Sequence, residues 1–194
     1  DLDKSDNRSK MKIAEECLNN LIDKLNPDDR LGIVLFDNGA YLGKKISLIS
    51  NTDTQALKNH ILEIEARGGT NFSAGYKQST SLFEEYLEDE SYQNRIIVIT
   101  DAMPNLGDTS SNGLMGMIEE NAKNKIYTSL IGVGVDFNTQ LTEKISNVTG
   151  ANYYSVHSSE EFNKTLAEEF DYMITPLIYD LDLSFKSDNF EIEN

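Results

Sequence analysis

The run Arg95-Ile-Ile-Val-Ile-Thr-Asp101 constrains this chain more than any other. Consecutive Ile and Val residues, closed off by a hydroxyl and a carboxylate, read as a strand buried on both faces. Such a strand belongs to a parallel sheet covered by helices. Open α/β sheets place their ligand sites just outside the carboxyl ends of the strands, which is where Asp101 falls. Upstream, Arg67-Gly-Gly-Thr-Asn71 reads as a Gly-Gly turn that presents Thr70 ahead of a helix. A hydroxyl and a carboxylate on loops at one sheet edge suit a hard divalent cation, which takes oxygen ligands.

The rest of the chain alternates between the two periods. Ser9 can cap a helix from about Lys10 to Leu25, whose apolar positions (Ile13, Cys17, Leu18, Leu21, Ile22) share one face. Pro27 ends it, because a proline disfavours helix at the residue before it. Leu31-Gly-Ile-Val-Leu-Phe36 reads as another buried strand. Asp37-Asn-Gly39 signals a hairpin, and Ala40–Leu48 reads as an edge strand. Helices are predicted over about Thr54–Glu65, Ser73–Leu87, Leu114–Lys123 and Phe137–Thr149, the last with Gly150 at its C-cap. Ile126–Gly134 and Tyr153–Val156 are further strands. Ser158 and Glu161 form a capping box for a helix reaching about Ile174. The tail Ile178–Phe185 alternates apolar and polar residues, like a strand with one wet face. Strands spaced by helices imply right-handed crossovers. The predicted fold is α/β: a Rossmann-like three-layer αβα sandwich with a mostly parallel central sheet and one antiparallel edge strand.

At 194 residues the chain suits one domain with a sizeable core. A net charge of −16 argues against nucleic acid as a partner, since phosphates would be repelled. No run approaches the ~18 apolar residues of a membrane span. Cys17 is the only cysteine, which excludes an internal disulfide, and its place on an apolar helix face marks it as core.

Four stretches, in this order and at these intervals, resemble a von Willebrand factor A domain: Asn26–Phe36, Arg67-Gly-Gly-Thr-Asn-Phe72, Ile97-Val-Ile-Thr-Asp101 and Ile131-Gly-Val-Gly134. The resemblance covers about residues 9–174 and looks nearest to a bacterial calcium-activated-channel-like or stress-response branch. It implies a metal-ion-dependent adhesion site, built from an Asp-x-Ser-x-Ser loop after the first strand, a Thr in the second loop and an Asp in the third. Thr70 and Asp101 take the last two places. Asp1-Leu-Asp-Lys-Ser5 lies at about the right distance before Lys10 to be a variant of the first loop, making Asp1, Asp3 and Ser5 candidates. Otherwise the motif lies upstream, together with the strand the pattern requires. The expected organisation is therefore one domain over 1–175, its first strand upstream or missing, and the start of a β-rich extension over 176–194. An extracytoplasmic location, secreted or membrane-anchored, is implied by the resemblance alone.

The chemistry follows from the ligand types. Mg²⁺ wants about six oxygens and gives up water reluctantly; Mn²⁺ or Ca²⁺ accept similar donors. A site of hydroxyls with few carboxylates leaves the cation under-neutralised, so it attracts an Asp or Glu carboxylate from a partner protein as its last ligand. No reaction is needed, and a non-enzymatic binding module is expected. Asn71 and Ser73 read as helix N-cap residues, with Ser73 supporting the site from behind. Two alternatives compete. One is the same scaffold without a competent metal site. The other is a haloacid-dehalogenase-like phosphatase using Asp1-Leu-Asp as its nucleophile loop and Thr100 as a phosphate-binding hydroxyl; Gly107-Asp108, which would have to supply its acidic loop, is not at a strand end. An EF-hand over Asp1-x-Asp3-x-Ser5 fails, because its sixth and twelfth positions are Asp6 and Lys12.

Overall fold

The computed structural model describes residues 9–65, 68–101, 107, 110–134 and 139–174. Helices and strands alternate: α1 (Lys10–Lys24), β1 (Arg30–Phe36), β2 (Ala40–Leu48), α2 (Thr54–Ile61), α3 (Phe72–Ser81), β3 (Asn94–Thr100), α4 (Ser111–Lys123), β4 (Ile126–Val133), α5 (Thr139–Ser146), β5 (Asn152–Val156) and α6 (Ser159–Ile174). β3, β4 and β5 form a parallel ladder in that order, and β1 and β2 an antiparallel one.

The three layers follow from the period of the strands. Ile96 and Val98 of β3 face one core, with Leu114 and Ile118 of α4, Phe72 and Tyr76 of α3, and Leu130 of β4. Ile97 and Ile99, one residue out of phase, pack on the opposite core with Ile13 and Cys17 of α1, Ile131 and Val133 of β4, and Phe162 of α6. Alternate side chains of a strand point to opposite faces, so one apolar run feeds both cores. The α/β, Rossmann-like architecture expected from the sequence is the one observed. Cys17 is 0% exposed, and burial pushes its thiol pKa up to about 12, as a core residue requires.

Several expectations are corrected. The helix after Thr54 stops at Ile61 rather than Glu65, and Leu62 is exposed. The next starts at Phe72 and stops at Ser81 rather than Leu87. There the hydroxyls of Ser79, Thr80 and Ser81 donate to the carbonyls of Gly75, Tyr76 and Gln78, and the backbone passes into i→i+3 turns through Tyr86. Side-chain bonds of this kind compete with the helical ladder. α4 begins three residues early, capped by Ser110. α5 ends at Ser146, so Gly150 (φ +69) makes a left-handed turn beyond the helix instead of capping it. Glu161 reaches back to the amide of His157, one residue before the Ser158 cap. β1 is not a buried strand: every one of its residues is only half-buried, whereas β4 is buried at all positions but one. The predicted strand Ile178–Phe185 and the extension over 176–194 lie outside the described residues.

A cleft of about 1470 Å³ runs beside β1 and β3, with α1 on one side and α3 on the other.

Candidate functional site

The carboxyl end of β1 turns through Asp37–Gly39, where the Gly39 amide donates to Asp37 Oδ1 at 3.0 Å. This hairpin tip holds the second loop. Gly69 N–H donates to Asn38 Oδ1 at 2.7 Å, Asn71 N–H to the Asp37 carbonyl at 2.7 Å, and Asn71 Nδ2 to the Asn38 carbonyl at 3.1 Å. Gly68 takes φ +70, a conformation that L side chains rarely adopt. Thr70 is thus held between two fixed neighbours, half-buried on the cleft wall.

Asn71 is also the N-cap of α3, its Oδ1 accepting from Ala74 N–H at 3.2 Å and from Ser73 Oγ at 3.1 Å. Asn71 and Ser73 are therefore bonded to each other within the cap, as the sequence suggests for a helix start. The third loop leaves Thr100, which is buried, and presents Asp101 half-buried on the same cleft wall. Gly107 then returns against α3. A Cβ there would sit 2.3 Å from Ser73 Oγ and 2.4 Å from Asn71 Oδ1, and φ is +72. Only a glycine fits that approach, and the contact ties the loop of Asp101 to the cap behind Thr70.

Thr70 and Asp101 both line the cleft, and Gly107, downstream of Asp101, abuts Asn71 and Ser73, downstream of Thr70. Asp1, Asp3 and Ser5 lie outside the described residues, as does Asp108. Asp37 lines the same cleft. The signal was present in the sequence, since Asp37 ends an apolar run just as Asp101 does, but it reads there as hairpin punctuation. Gly107 carried no local signal. In chemistry the donor set is hard oxygen throughout, which fits Mg²⁺, Mn²⁺ or Ca²⁺. Thr70 and Asp101 could offer two oxygens to such a cation, which takes about six. Among the described residues no three His, Cys, Asp or Glu side chains cluster to hold a metal by themselves. Among them, too, no helix is long and apolar enough to cross a membrane.

Comparison with known proteins bears on this arrangement. Residues 2–103 match the sequence model of the von Willebrand factor type A domain. Human inter-alpha-trypsin inhibitor heavy chain H2 is 22% identical over 182 residues, covering 91% of this chain and 19% of the relative. The chain thus spans about a fifth of that curated relative. The conserved hypothetical protein BatB from Bacteroides thetaiotaomicron has a similar structure, with a TM-score of 0.67 at 20% identity over 89% of this chain and 92% of that one. The manganese-loaded TRAP protein of Plasmodium vivax superposes with a TM-score of 0.63 at 16% identity, over 84% and 66% of the two chains. At these identities the structural likeness speaks to fold.

Proposed function

The chain belongs to the von Willebrand factor type A domain family, and from that premise we propose that it is a non-enzymatic, metal-dependent protein-binding module of the adhesion type. Thr70 and Asp101 hold a divalent cation, Mg²⁺ or else Mn²⁺ or Ca²⁺, within a metal-ion-dependent adhesion site. Asp1, Asp3 and Ser5, or an Asp-x-Ser-x-Ser loop ahead of them, complete it from the first loop. A partner protein supplies an Asp or Glu carboxylate as the final ligand. An extracytoplasmic location belongs to the same proposal. The observation that carries it is that Thr70 and Asp101 line one cleft, while Gly107, downstream of Asp101, abuts the helix cap that follows Thr70. The manganese named for the TRAP relative is consistent with this chemistry.

Calorimetric titration of Mg²⁺ and Mn²⁺ into the chelator-stripped protein, carrying the residues that precede Asp1, tests it. Saturable one-site binding that Asp101→Ala abolishes and Thr70→Ala weakens at least tenfold is expected. No binding in the folded wild type overturns it. A second reading, an interaction scaffold without a competent metal site, is favoured by the lack of any acidic or His/Cys trio among the described residues. Partner capture that persists in excess chelator would establish that reading instead.

A further inference from the structure

We propose that Asn38 is a site of spontaneous deamidation, converted through attack by the Gly39 amide nitrogen to aspartyl and isoaspartyl forms, and that the isoaspartyl form releases the loop carrying Thr70. Neither step needs a metal.

An Asn followed by Gly is the pair in which the attacking nitrogen is least shielded, because Gly carries no side chain. This chain holds two such pairs, Asn38-Gly39 and Asn112-Gly113. Water is the only co-reactant. Gly39 N bonds to Asn38 Cγ as the Cγ–Nδ2 bond breaks, and ammonia leaves with the amide proton. The cyclic imide then takes up one water. Opening at Cγ gives the aspartyl form. Opening at the old backbone carbonyl gives the isoaspartyl form, in which the main chain runs through the former side chain. Nothing is oxidised or reduced.

The fold treats the two pairs differently. Asn38 is exposed at the tip between β1 and β2, outside both strands. The Gly39 N–H, whose proton must leave, donates to Asp37 Oδ1 at 3.0 Å, which sets a carboxylate where a general base is needed. Asn38 Oδ1 gathers negative charge when Cγ is attacked, and it accepts from Gly69 N–H at 2.7 Å. A backbone N–H aimed at such an oxygen stabilises the charge that develops there. Among the described residues no group accepts from Nδ2, the nitrogen that departs. Asn112 is exposed as well, but it stands in the first turn of α4. Its following amide, Gly113 N–H, donates to the Ser110 cap at 2.9 Å. Cyclisation there has to undo both the turn and its cap.

What Asn38 holds sets the consequence. Its Oδ1 fixes the Gly69 amide, and its backbone carbonyl accepts from Asn71 Nδ2 at 3.1 Å, so it grips the Thr70 loop on both sides of Thr70. Its amide group packs on Gly68, where a Cβ would sit 3.0 Å from Oδ1 and 3.1 Å from Cγ. The aspartyl form has the same shape and keeps an oxygen for Gly69, so the grip survives. In the isoaspartyl form the two acceptors exchange roles. The old Oδ1 becomes the main-chain carbonyl, and the old carbonyl becomes a pendant carboxylate on a chain one carbon longer. Gly69 and Asn71 cannot both keep their partners across that exchange, and Thr70 loses its fixed neighbours. On the reading of Thr70 as a cation ligand, conversion also weakens that binding; the chemistry at Asn38 stands without that reading.

Peptide mapping by mass spectrometry, with enzymatic methyl labelling of isoaspartate, follows both Asn-Gly pairs in the full-length protein held for weeks at mildly alkaline pH. Conversion at Asn38 is expected to run at least tenfold faster than at Asn112 in the folded protein. In urea, which removes the contribution of the fold, the two rates should be nearly equal. Gly39→Ala, whose Cβ meets nothing closer than Tyr41 Oη at 3.7 Å, should slow conversion at Asn38 at least tenfold. Hydrogen–deuterium exchange is then read on the chromatographically separated isoaspartyl form. Its Gly69–Asn71 amides should exchange at least tenfold faster than in fresh protein, with those of β4 unchanged, and Asn38→Asp should behave like fresh protein. Conversion at Asn38 no faster than at Asn112 in the folded protein overturns the proposal. So does a rate that Gly39→Ala leaves unchanged while circular dichroism shows the variant folded. Unchanged exchange of Gly69–Asn71 in the isoaspartyl form overturns the release of the loop.

Discussion

Behind Thr70, helix α3 is fixed to the sheet by a buried polar pin, and its energy can be worked from the structure. Tyr76 Oη and Thr128 Oγ1 lie 2.6 Å apart, 3% and 1% exposed. Asn121 Nδ2 donates to Thr80 Oγ1 at 2.8 Å, and Thr80 donates to the Tyr76 carbonyl at 3.0 Å. Burial raises the Tyr76 pKa, which bonds to Thr128 and Asn121 only partly offset. Tyr76→Phe removes one hydroxyl and leaves Thr128 buried without that partner, a loss of about 1–3 kcal/mol. Thr128→Val strips the other partner while nearly keeping volume, and should cost about 1–2 kcal/mol for the same reason. Removing both hydroxyls together leaves no orphan at that contact, so the double variant should lie close to the worse single one. The coupling is then about 1–2 kcal/mol, well above the ~0.5 kcal/mol scatter of independent sites. Urea unfolding followed by circular dichroism measures it, with equal m-values required for the four proteins. The chain has no Trp, so the dichroism signal is preferred to fluorescence. Additive losses, with coupling under about 0.5 kcal/mol, would refute the reasoning and leave α3 held by its apolar face alone.

Cys17 makes folding sensitive to alkali. Its folded pKa, about 12, stands above the ordinary 9.0, so its contribution is fully present below pH 9 and is lost as pH rises from 9 to 12. Over that window wild type should lose stability relative to Cys17→Ala by about 1.4 kcal/mol per pH unit at most, and parallel stability–pH curves for the two proteins would contradict this. Gly107→Ala combines a left-handed φ, costing about 1–2 kcal/mol, with a clash against the Asn71 cap, worth about 1 kcal/mol. A loss of about 2–3 kcal/mol in urea melts, reduced in an Asn71→Gly background, is expected; an unchanged midpoint would show that the third loop does not rest on α3.

Much of the fold was legible because the period of the apolar residues is a local property. The run Ile96–Ile99 announced a strand feeding two cores, and the hydroxyl and amide caps at Ser9, Asn71 and Ser158 marked helix starts to within a residue. Helix ends were less legible. Ile64, Leu82, Phe83 and Leu87 extend the helical spacing, yet the backbone leaves the helix before them, and a hydroxyl-rich Ser79-Thr80-Ser81 offers the carbonyls other partners. The candidate site was half legible. Thr70 and Asp101 each carry a local signature, an Asp or Thr beside an apolar run or a Gly turn. Their convergence is made by contacts between residues far apart in sequence, Asn38 with Gly69 and Gly107 with Asn71, and no window of the chain contains both partners. β1 was misread for the same reason. Its composition reports the environment its side chains require, while its burial depends on the neighbour that flanks it.

The two candidate loops hang on different ladders. The Thr70 loop hangs on the β1–β2 hairpin through Asp37 and Asn38. The Asp101 loop grows from β3, in the other ladder. Any ligand that engages both residues therefore binds across the cleft and favours the state in which the ladders are held together. A cation that binds only this state stabilises the whole fold by RT ln(1 + [L]/Kd), about 2.7 kcal/mol at a hundredfold excess over Kd. Mg²⁺ should then raise Tm in wild type and leave Asp101→Ala unmoved, and in exchange experiments it should slow the β1 and β3 amides together. A cation that protected only one of the two ladders would break the link, because it would show that Thr70 and Asp101 do not share a ligand.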